Sequence, residues 1–397
     1  MKSKLSKIGQ FIFQYGVYFC SFAVSRNRRV LLIIGSEFET TLFRKNTSNN
    51  LAILMRSFLE HKISNEREFC ILYYSDTVNS ELELELHEHG YRHVVRISPD
   101  TIFRRSLNLK EIWDLSKNIS RSKFIISSTP YERSFVKFRS QVYTVVNYYI
   151  PFKSDLHIKS KWCKIDKILV SSPFGMEYIA STADIGMSAM NVTVFPRVLG
   201  MSERDSLKTK QVLNYAQDEN IIVFAPTHRN MSNGPMFSPK YDWSIIDSWL
   251  IQSNYKLVIL PHPELNIELD ENTECIEVFN TTSQTSTYDI LTVSNLLISD
   301  YSSIHFDYLY LKKPIIYFWP DFHEFTESRG FMCDSPEKLC AGPIAYSTYE
   351  LIEYLDEYLE NSLINHSKRA KDLYDLVYPE NMPKLTEEEI INNIFCN

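Results

Sequence analysis

The chain has 397 residues, enough for two domains, and its 44% of hydrophobic residues excludes a disordered protein. Its formal net charge of -7 argues against nucleic acid as the main partner. The seven cysteines are scattered without a C-x-x-C pair, so they indicate reduced thiols in a cytosolic setting rather than a zinc site or a disulfide framework.

Residues 1–27 are predicted to form an amphipathic, membrane-associating segment. Residues 1–29 contain six basic residues and no acidic one. The apolar stretch 8–24 is short and polar for a membrane-spanning helix, but aromatic residues between cationic ends suit a helix lying on an anionic membrane. Two alternatives are open: a signal peptide, although no convincing cleavage site follows, and a helix that packs on the protein's own core.

From Arg28 onward, short apolar runs alternate with helix-compatible segments. The first series reads "RVLLIIG", "FCILYYS", "HVVRIS", "KFIISS", "VYTVVNYY", "DKILVSS" and "NVTVF". The second series reads "NIIVFA", "YKLVIL", "ECIEVF", "NLLIS" and "KPIIYF". Such runs, separated by helices, are typical of parallel strands buried on both faces of a sheet.

These two series predict two doubly wound α/β domains that face each other across a cleft. We place the first domain at 28–205 and the second at 206–397, with the polar segment 201–220 as the linker. No window has the spacing of a glycine-rich dinucleotide fingerprint or a Walker loop.

Polar side chains follow three strands of the second series, and the carboxyl ends of strands in open α/β sheets are where ligands bind. Hydroxyl groups and free N–H groups at the start of a helix favour a phosphate or diphosphate there. The segments concerned are "PTHR" (226–229), "PHPEL" (261–265) and "DYSS" (300–303).

A local role is the alternative for each of these residues taken alone. Asp300 or Ser302 would cap a helix, Asp307 would brace one, His262 would be a structural histidine, and Arg329 would be a solvated loop cation. The coincidence of three clusters at equivalent strand ends favours a site. The chain has no D-x-D and no G-x-S-x-G sequence, so we predict neither a metal nor a serine triad.

The motifs resemble those of the CDP-glycerol glycerophosphotransferase family, the teichoic-acid and capsule polymerases and primases. The resemblance is strongest over 220–343, in "FAPTHR", "PHPEL", "SDYSSIHFDYLYLKKPIIYF" and "RGFMCDSPEKLCAGP", which follow one another in this order. A weaker likeness includes "VYTVVNYYIPFK", "ILVSSPFGMEYI" and "FPR". The resemblance implies a GT-B-like fold of two Rossmann-type domains, the first on the acceptor side and the second binding a CDP-activated donor.

The resemblance also implies an activity. A family member transfers glycerol phosphate, or a related polyol phosphate, from a CDP-polyol donor to a hydroxyl of a cell-surface glycan or lipid-linked acceptor, and it releases CMP. No cofactor is implied, and the location would be peripheral, at the cytoplasmic face of the cell membrane. By matching position, the catalytic candidates are His262, Asp300 and Tyr148. The donor-binding candidates are Pro226, Thr227, Arg229, Tyr301, Ser302, Ser303, Asp307 and Arg329.

One departure from the family concerns the first domain. The family's string Trp-His-Gly-Thr-Pro-Leu-Lys reads "NYYIPFK" here, so Tyr148 replaces the histidine expected as general base, and tyrosine is a poor base at neutral pH. Three accounts remain open: another base such as His157 or His228, a reduced need for a base, or a changed or lost activity. We favour a changed acceptor. The competing functions are a GT-B glycosyltransferase using a sugar nucleotide, and a nucleotide-binding member without turnover.

Overall fold

The computed structural model describes most of the chain from residue 29 onward. His157, His228, His262 and the predicted amphipathic segment lie outside the described residues. The described ranges are 29–34, 50–60, 68–74, 80–97, 109–128, 140–148, 152–153, 165–183, 185–227, 229, 241–260, 269, 273–280, 285–361 and 367–395.

A parallel sheet of seven strands organises the first half of the described chain. Its strand order is β3-β2-β1-β4-β5-β6-β7, so the chain builds outward from β1 in both directions. The strands are β1 (Val30–Ile34), β2 (Phe69–Tyr74), β3 (His93–Ile97), β4 (Phe124–Ser127), β5 (Val142–Tyr148), β6 (Lys167–Val170) and β7 (Met190–Val192).

The second half contains a parallel sheet of six strands with the equivalent order β10-β9-β8-β11-β12-β13. In each sheet the strand order reverses beside the first strand, as in the dinucleotide-binding folds. The strands are β8 (Asn220–Ala225), β9 (Tyr255–Ile259), β10 (Ile276–Val278), β11 (Leu296–Ser299), β12 (Ile315–Phe318) and β13 (Ile344–Ala345).

Helices connect these strands and cover the sheets. In the first half they are α1 (Asn50–Glu60), α2 (Ser80–Glu88), α3 (Leu109–Arg121), α4 (Pro173–Ala183), α5 (Pro196–Ser202) and α6 (Ser206–Val212). The second half has α7 (Trp243–Ser253), α8 (Thr287–Val293), α9 (Ile304–Leu309), α10 (Phe322–Ser328), α11 (Thr348–Leu359), α12 (Ser367–Val377) and α13 (Glu387–Phe395). Short 3₁₀ turns occupy Met187–Ala189 and Pro336–Leu339.

The central strands are buried on both faces, which explains why their sequences are continuous apolar runs. All five residues of β1 and all four of β11 are buried. Each Å² of apolar surface that is removed from water contributes about 25 cal/mol to the folding free energy. Strands buried on both faces are therefore a main source of stability. The predicted α/β fold with two parallel-sheet, Rossmann-type domains is confirmed.

The end of the chain returns to the first sheet. The ring of Phe395, in α13, lies 5.7 Å from that of Phe58 and 5.0 Å from that of Phe124. Lys167, in β6, donates its ammonium to the Asn393 carbonyl oxygen at 2.6 Å. The domain boundaries drawn from the sequence stay a prediction, and these contacts add α13 to the surroundings of the first sheet. Within the described residues, no helix is both long enough and apolar enough to cross a membrane.

Candidate functional site

The candidate site lies where the strand order of the second sheet reverses. β8 and β11 are neighbours there, and in open α/β sheets the crevice beyond the carboxyl ends of such strands is the usual ligand site. Thr227 and Arg229 follow β8, and Asp300 follows β11. The structure therefore brings together two of the three strand ends that the sequence singled out. The third, with His262, is outside the described residues.

Arg229 lies between two buried carboxylates. Its Nε and Nη2 atoms donate to Oδ2 and Oδ1 of Asp321 at 2.6 and 3.1 Å. Its Nη1 atom donates to Oδ2 of Asp300 at 2.7 Å and to the carbonyl oxygen of Thr227. The Tyr301 hydroxyl donates to Oδ1 of Asp321 at 3.0 Å. We call these five residues the strand-end cluster.

The strand-end cluster is almost completely desolvated. Arg229 is 4% exposed and Asp300 is 0% exposed, and the guanidinium carbon of Arg229 lies 4.7 Å from the centre of the Tyr301 ring. Burial lowers the pKa of Arg229, but the Asp300 carboxylate and the hydrogen bond to Asp321 raise it by more, so the guanidinium stays charged. Arg229 thus holds protein carboxylates in place, and its role in donor binding stays a prediction.

Two polar atoms of the strand-end cluster have no hydrogen-bond partner among the described residues. They are Oγ1 of Thr227 and Oδ1 of Asp300, both buried. The other carboxylate oxygen of Asp300 accepts from the Thr227 backbone N–H at 2.7 Å, so the two residues are held side by side. A buried polar group without a partner costs about 1–3 kcal/mol. The pair is therefore a candidate point of contact for a polar ligand group.

Ser302 and Ser303 precede α9 and are half-buried. Ser303 is the N-cap residue and its side chain makes no capping hydrogen bond. α9 has only 6 residues, so its macrodipole supports an anion less than the sequence argument assumed. The two hydroxyls, rather than the dipole, are what this turn offers a phosphate.

His305 holds the turn that contains Ser302 and Ser303 through a hydrogen bond. Its Nδ1 lies 2.6 Å from the carbonyl oxygen of Ser302, and because a carbonyl only accepts, Nδ1 carries the proton. Burial lowers the pKa of His305 to about 4, so the ring is neutral at physiological pH. The ring also lies 4.9 Å from that of Phe152, which comes from the first half of the chain. His305 therefore positions the serine turn against the opposite half.

Asp307 pairs with Arg197 of α5. Its Oδ2 accepts from Nε and Nη2 of Arg197 at 3.1 and 3.0 Å, and from the Tyr288 hydroxyl. The backbone N–H of Arg197 in turn donates to Asn50, at the start of α1. We call Arg197, Asp307 and Tyr288 the linking cluster, because it joins the two halves. This is the bracing role that the sequence left open as the alternative for Asp307.

A second cation approaches the site from the first half. Lys153 forms an isolated antiparallel bridge with Phe331, and the Met332 N–H donates to the Phe152 carbonyl oxygen at 3.2 Å. Arg329, at the end of α10, is two residues before Phe331. Burial and the positive charges of Arg329 and Arg229 lower the pKa of Lys153 to about 8, with Asp300 acting in the opposite direction.

Lys153 and Asp321 were not among the site residues predicted from the sequence. Lys153 ends the "NYYIPFK" string that matches the family's Trp-His-Gly-Thr-Pro-Leu-Lys string, so a signal was present. Asp321 lies three residues after β12, whereas Asp300 directly follows β11, so its position beyond a neighbouring strand end was the available signal.

The remaining candidates occupy three different positions. Pro226 is buried directly after β8, and Tyr301 is 0% exposed with its ring stacked on Phe325 at 3.7 Å, so both belong to the support of the site. Tyr148 is the last residue of β5, and its side chain is not among those described.

Parts of the chain are similar in sequence to curated teichoic acid enzymes. A 157-residue region is 32% identical to the teichoic acid poly(glycerol phosphate) polymerase of Bacillus spizizenii and covers 38% of this chain and 39% of that protein. A 241-residue region is 24% identical to the teichoic acid glycerol-phosphate transferase of Staphylococcus aureus and covers 56% of this chain and 59% of that protein. The chain thus matches about half the length of these curated relatives.

The fold is similar to that of the wall teichoic acid polymerase TagF. The TM-score is 0.66 at 16% identity, with 96% of this chain and 92% of the other covered. The UDP-GlcNAc 2-epimerase of Neisseria meningitidis also shares the fold, with a TM-score of 0.53 at 12% identity, covering 92% of this chain and 99% of the other. The sequence model of one family, described as CDP-Glycerol:Poly(glycerophosphate) glycerophosphotransferase, matches residues 85–394. This match covers more than three quarters of the chain, and the chain belongs to that family.

Proposed function

We propose that this protein transfers glycerol phosphate, or a related polyol phosphate, from a CDP-activated donor to a hydroxyl of a teichoic-acid-like cell-surface glycan or a lipid-linked acceptor. The observation that carries the proposal is the strand-end cluster, which lies at the strand-order reversal of the second sheet and within the region matched by the family. Its buried Arg229 fixes Thr227 and Asp300, each of which keeps one polar atom for a ligand.

The reaction needs charge stabilisation more than covalent chemistry by the protein. The acceptor oxygen forms a bond to the β-phosphorus, the bond from that phosphorus to the bridging oxygen breaks, and CMP leaves with the electron pair. Ser302, Ser303 and Arg329 border the place where the phosphates would lie, and His262 would stabilise or protonate their oxygens. Holding both reactants in line supplies much of the rate acceleration.

The proton of the acceptor hydroxyl needs a base, and Tyr148 occupies the position of the family's histidine. A tyrosine with a pKa of about 10 is mostly protonated at neutral pH, so it is a weak base there. We propose that the acceptor differs from that of the family's typical members, and that the base is another residue, with His157 and His228 as the candidates.

The test of the proposed function is binding followed by turnover. Calorimetric titration with CDP-glycerol, CDP-ribitol and a UDP-sugar, with and without a divalent metal, needs no acceptor. We expect selective binding of one CDP-polyol without metal, and CMP release when a suitable glycan is added. Binding of the UDP-sugar alone would favour the glycosyltransferase alternative, and binding of a CDP-polyol with no CMP release from any acceptor would favour a member without turnover.

His262 is the first residue to change within this proposal. We expect His262→Ala to reduce the rate of CMP release by about a hundredfold, as for the loss of an electrostatic or acid–base group. The matched control is His89→Ala, since His89 is exposed at the end of α2 and should leave the rate unaffected. A near-normal rate for His262→Ala would remove this histidine from the mechanism.

We further propose that residues 1–27 hold the enzyme at the cytoplasmic face of the membrane as a peripheral protein. The support is the sequence, in which an apolar aromatic stretch lies between cationic ends. We expect deletion of residues 1–25 to leave the fold intact and to move the protein from the membrane fraction to the soluble fraction. Retention at the membrane after this deletion would contradict the proposal.

A further inference from the structure

Each half of the chain places one cation near Asp300: Lys153 comes from the first half and Arg329 from the second. We infer that Lys153 and Arg329 together form an anion site that binds the diphosphate of the nucleotide donor, with the lysine supplied by the acceptor-side half. This inference rests on the proposed function, because the diphosphate is that of the CDP-activated donor. It adds Lys153 to a site that the motifs of the second half define only in part.

The position of Lys153 is fixed by backbone contacts between the halves. Its bridge with Phe331 and the hydrogen bond from Met332 to Phe152 tie the segment after β5 to the segment after α10. The Phe152 ring lies 5.4 Å from that of Phe331 and 6.3 Å from that of Trp319. Lys153 is therefore held beside the end of α10, where Arg329 lies, by packing that does not involve its own ammonium group.

Neither cation is neutralised by the residues that the structure describes. Lys153 and Arg329 make no side-chain hydrogen bond or ion pair there, whereas Arg197, Arg204 and Arg229 all pair with buried carboxylates. Asp300 is the nearby acid, but one of its oxygens already accepts from Arg229 and from Thr227. Two neighbouring positive charges in a partly desolvated cleft repel each other, and a bound dianion would replace that repulsion with two attractions.

A titration behaviour follows from this arrangement. The charged groups that act on Lys153 are Arg329 at the end of α10, Asp300 at the end of β11 and Arg229 after β8, while the nearby His305 is neutral. Burial together with the two arginines lowers the pKa of Lys153 to about 8, and a bound diphosphate would raise it again. Donor affinity should therefore be greatest below the pKa of the free protein, fall as the pH rises through it, and be accompanied by proton uptake.

The experiment compares wild type with Lys153→Met and Lys153→Arg by calorimetric titration with CDP-glycerol. The matched control is Lys208→Met, because Lys208 is an exposed lysine on α6 that pairs with its neighbour Asp205. We expect Lys153→Met to weaken binding at least about tenfold near pH 7, Lys153→Arg to keep most of the affinity, and Lys208→Met to match wild type. Circular dichroism and a thermal melt establish that each variant is folded.

The second measurement determines how many protons the protein takes up when CDP-glycerol binds. At about pH 9, where roughly nine-tenths of a lysine with the lowered pKa is neutral, titrations in two buffers of different ionisation enthalpy should show uptake of nearly one proton by wild type. The same titrations should show none for Lys153→Arg. Because this readout uses wild type and the charge-preserving variant, it tests the inference even if Lys153→Met does not fold.

The outcomes separate this inference from the proposed function. If Lys153→Met binds CDP-glycerol within about twofold of wild type, or if wild type takes up no proton, the inference is wrong and the function stands. If wild type binds no CDP-polyol, the proposed function fails, and inorganic pyrophosphate becomes the probe. Pyrophosphate binding that is weakened in Lys153→Met but not in Lys208→Met would then still support the anion site, and its absence would overturn both.

Discussion

Two arginine–aspartate clusters occupy different places in this fold and do different work. The strand-end cluster, around Arg229, lies within the second half, at the reversal point of its sheet. The linking cluster, around Arg197, joins α5 of the first half to α9 and α8 of the second. Both are buried, and both consist of a guanidinium in contact with carboxylate and tyrosine.

The difference lies in what each cluster leaves for a ligand. In the strand-end cluster, Thr227 and Asp300 each keep a buried polar atom with no partner among the described residues. In the linking cluster, Oδ2 of Asp307 alone accepts three hydrogen bonds, from Arg197 twice and from Tyr288. Similar chemistry therefore leaves polar atoms available to a ligand in one case and joins the two halves in the other. The two aspartates belong to one short motif in the sequence, which conceals this division.

The largest effect is expected from removing the cation of the strand-end cluster. Arg229→Met leaves the Asp300 and Asp321 carboxylates buried without their partner, which should cost about 3–5 kcal/mol of unfolding free energy. Urea denaturation followed by circular dichroism measures the loss. Arg229→Lys is the control: it keeps the charge but cannot pair with both carboxylates in the forked geometry, so a smaller loss is expected. Wild-type stability in Arg229→Met would contradict a structural role for this network.

The linking cluster should show a smaller effect on stability, of about 2–3 kcal/mol, when Asp307 becomes Asn. The amide keeps the shape and part of the hydrogen bonding but leaves the buried guanidinium of Arg197 without a counter-charge. A double-mutant cycle with Arg197→Met should give a coupling free energy of about 1–3 kcal/mol, since the residues are in direct contact. A loss of donor affinity without a loss of stability would instead place Asp307 in contact with the polyol.

The sheets, and the proximity of candidate residues at the ends of neighbouring strands, could be predicted from the sequence for physical reasons that act locally. A strand buried on both faces must be apolar along its length, so runs such as "VLLII" in β1 and "NIIVFA" in β8 predict parallel strands directly. Polar residues immediately after such runs must lie at the carboxyl edge. This is why Thr227, Arg229 and Asp300 were predicted to be neighbours and are.

The roles of individual side chains could not be read in the same way, because they depend on partners far away in the chain. Arg197 and Asp307 are 110 residues apart, and Arg229 and Asp321 are 92 residues apart. A motif specifies that an arginine is present but not whether its donors point at a ligand or at a carboxylate of the protein. The contribution of Lys153 is hidden for the same reason, since its neighbours Arg329 and Phe331 belong to the other half.

The smallest change in stability is expected at Thr227, which makes it the sharpest test of whether the strand-end cluster binds a ligand. Thr227→Val replaces a buried hydroxyl that has no partner among the described residues with a methyl group of similar size. Because no hydrogen bond of that hydroxyl is lost, the free energy of unfolding should change by less than about 1 kcal/mol, or even rise.

Donor affinity should nevertheless fall by about tenfold in Thr227→Val, the loss that one hydrogen bond to a charged phosphate oxygen produces. Thr227→Ser supplies the control, since it retains the hydroxyl and loses only the methyl group, and it should bind the CDP-polyol nearly as well as wild type. Equal affinity in all three proteins would mean that the free hydroxyl of Thr227 does not reach the donor. The strand-end cluster would then act on the reaction only by holding together the residues that follow the carboxyl ends of β8 and β11.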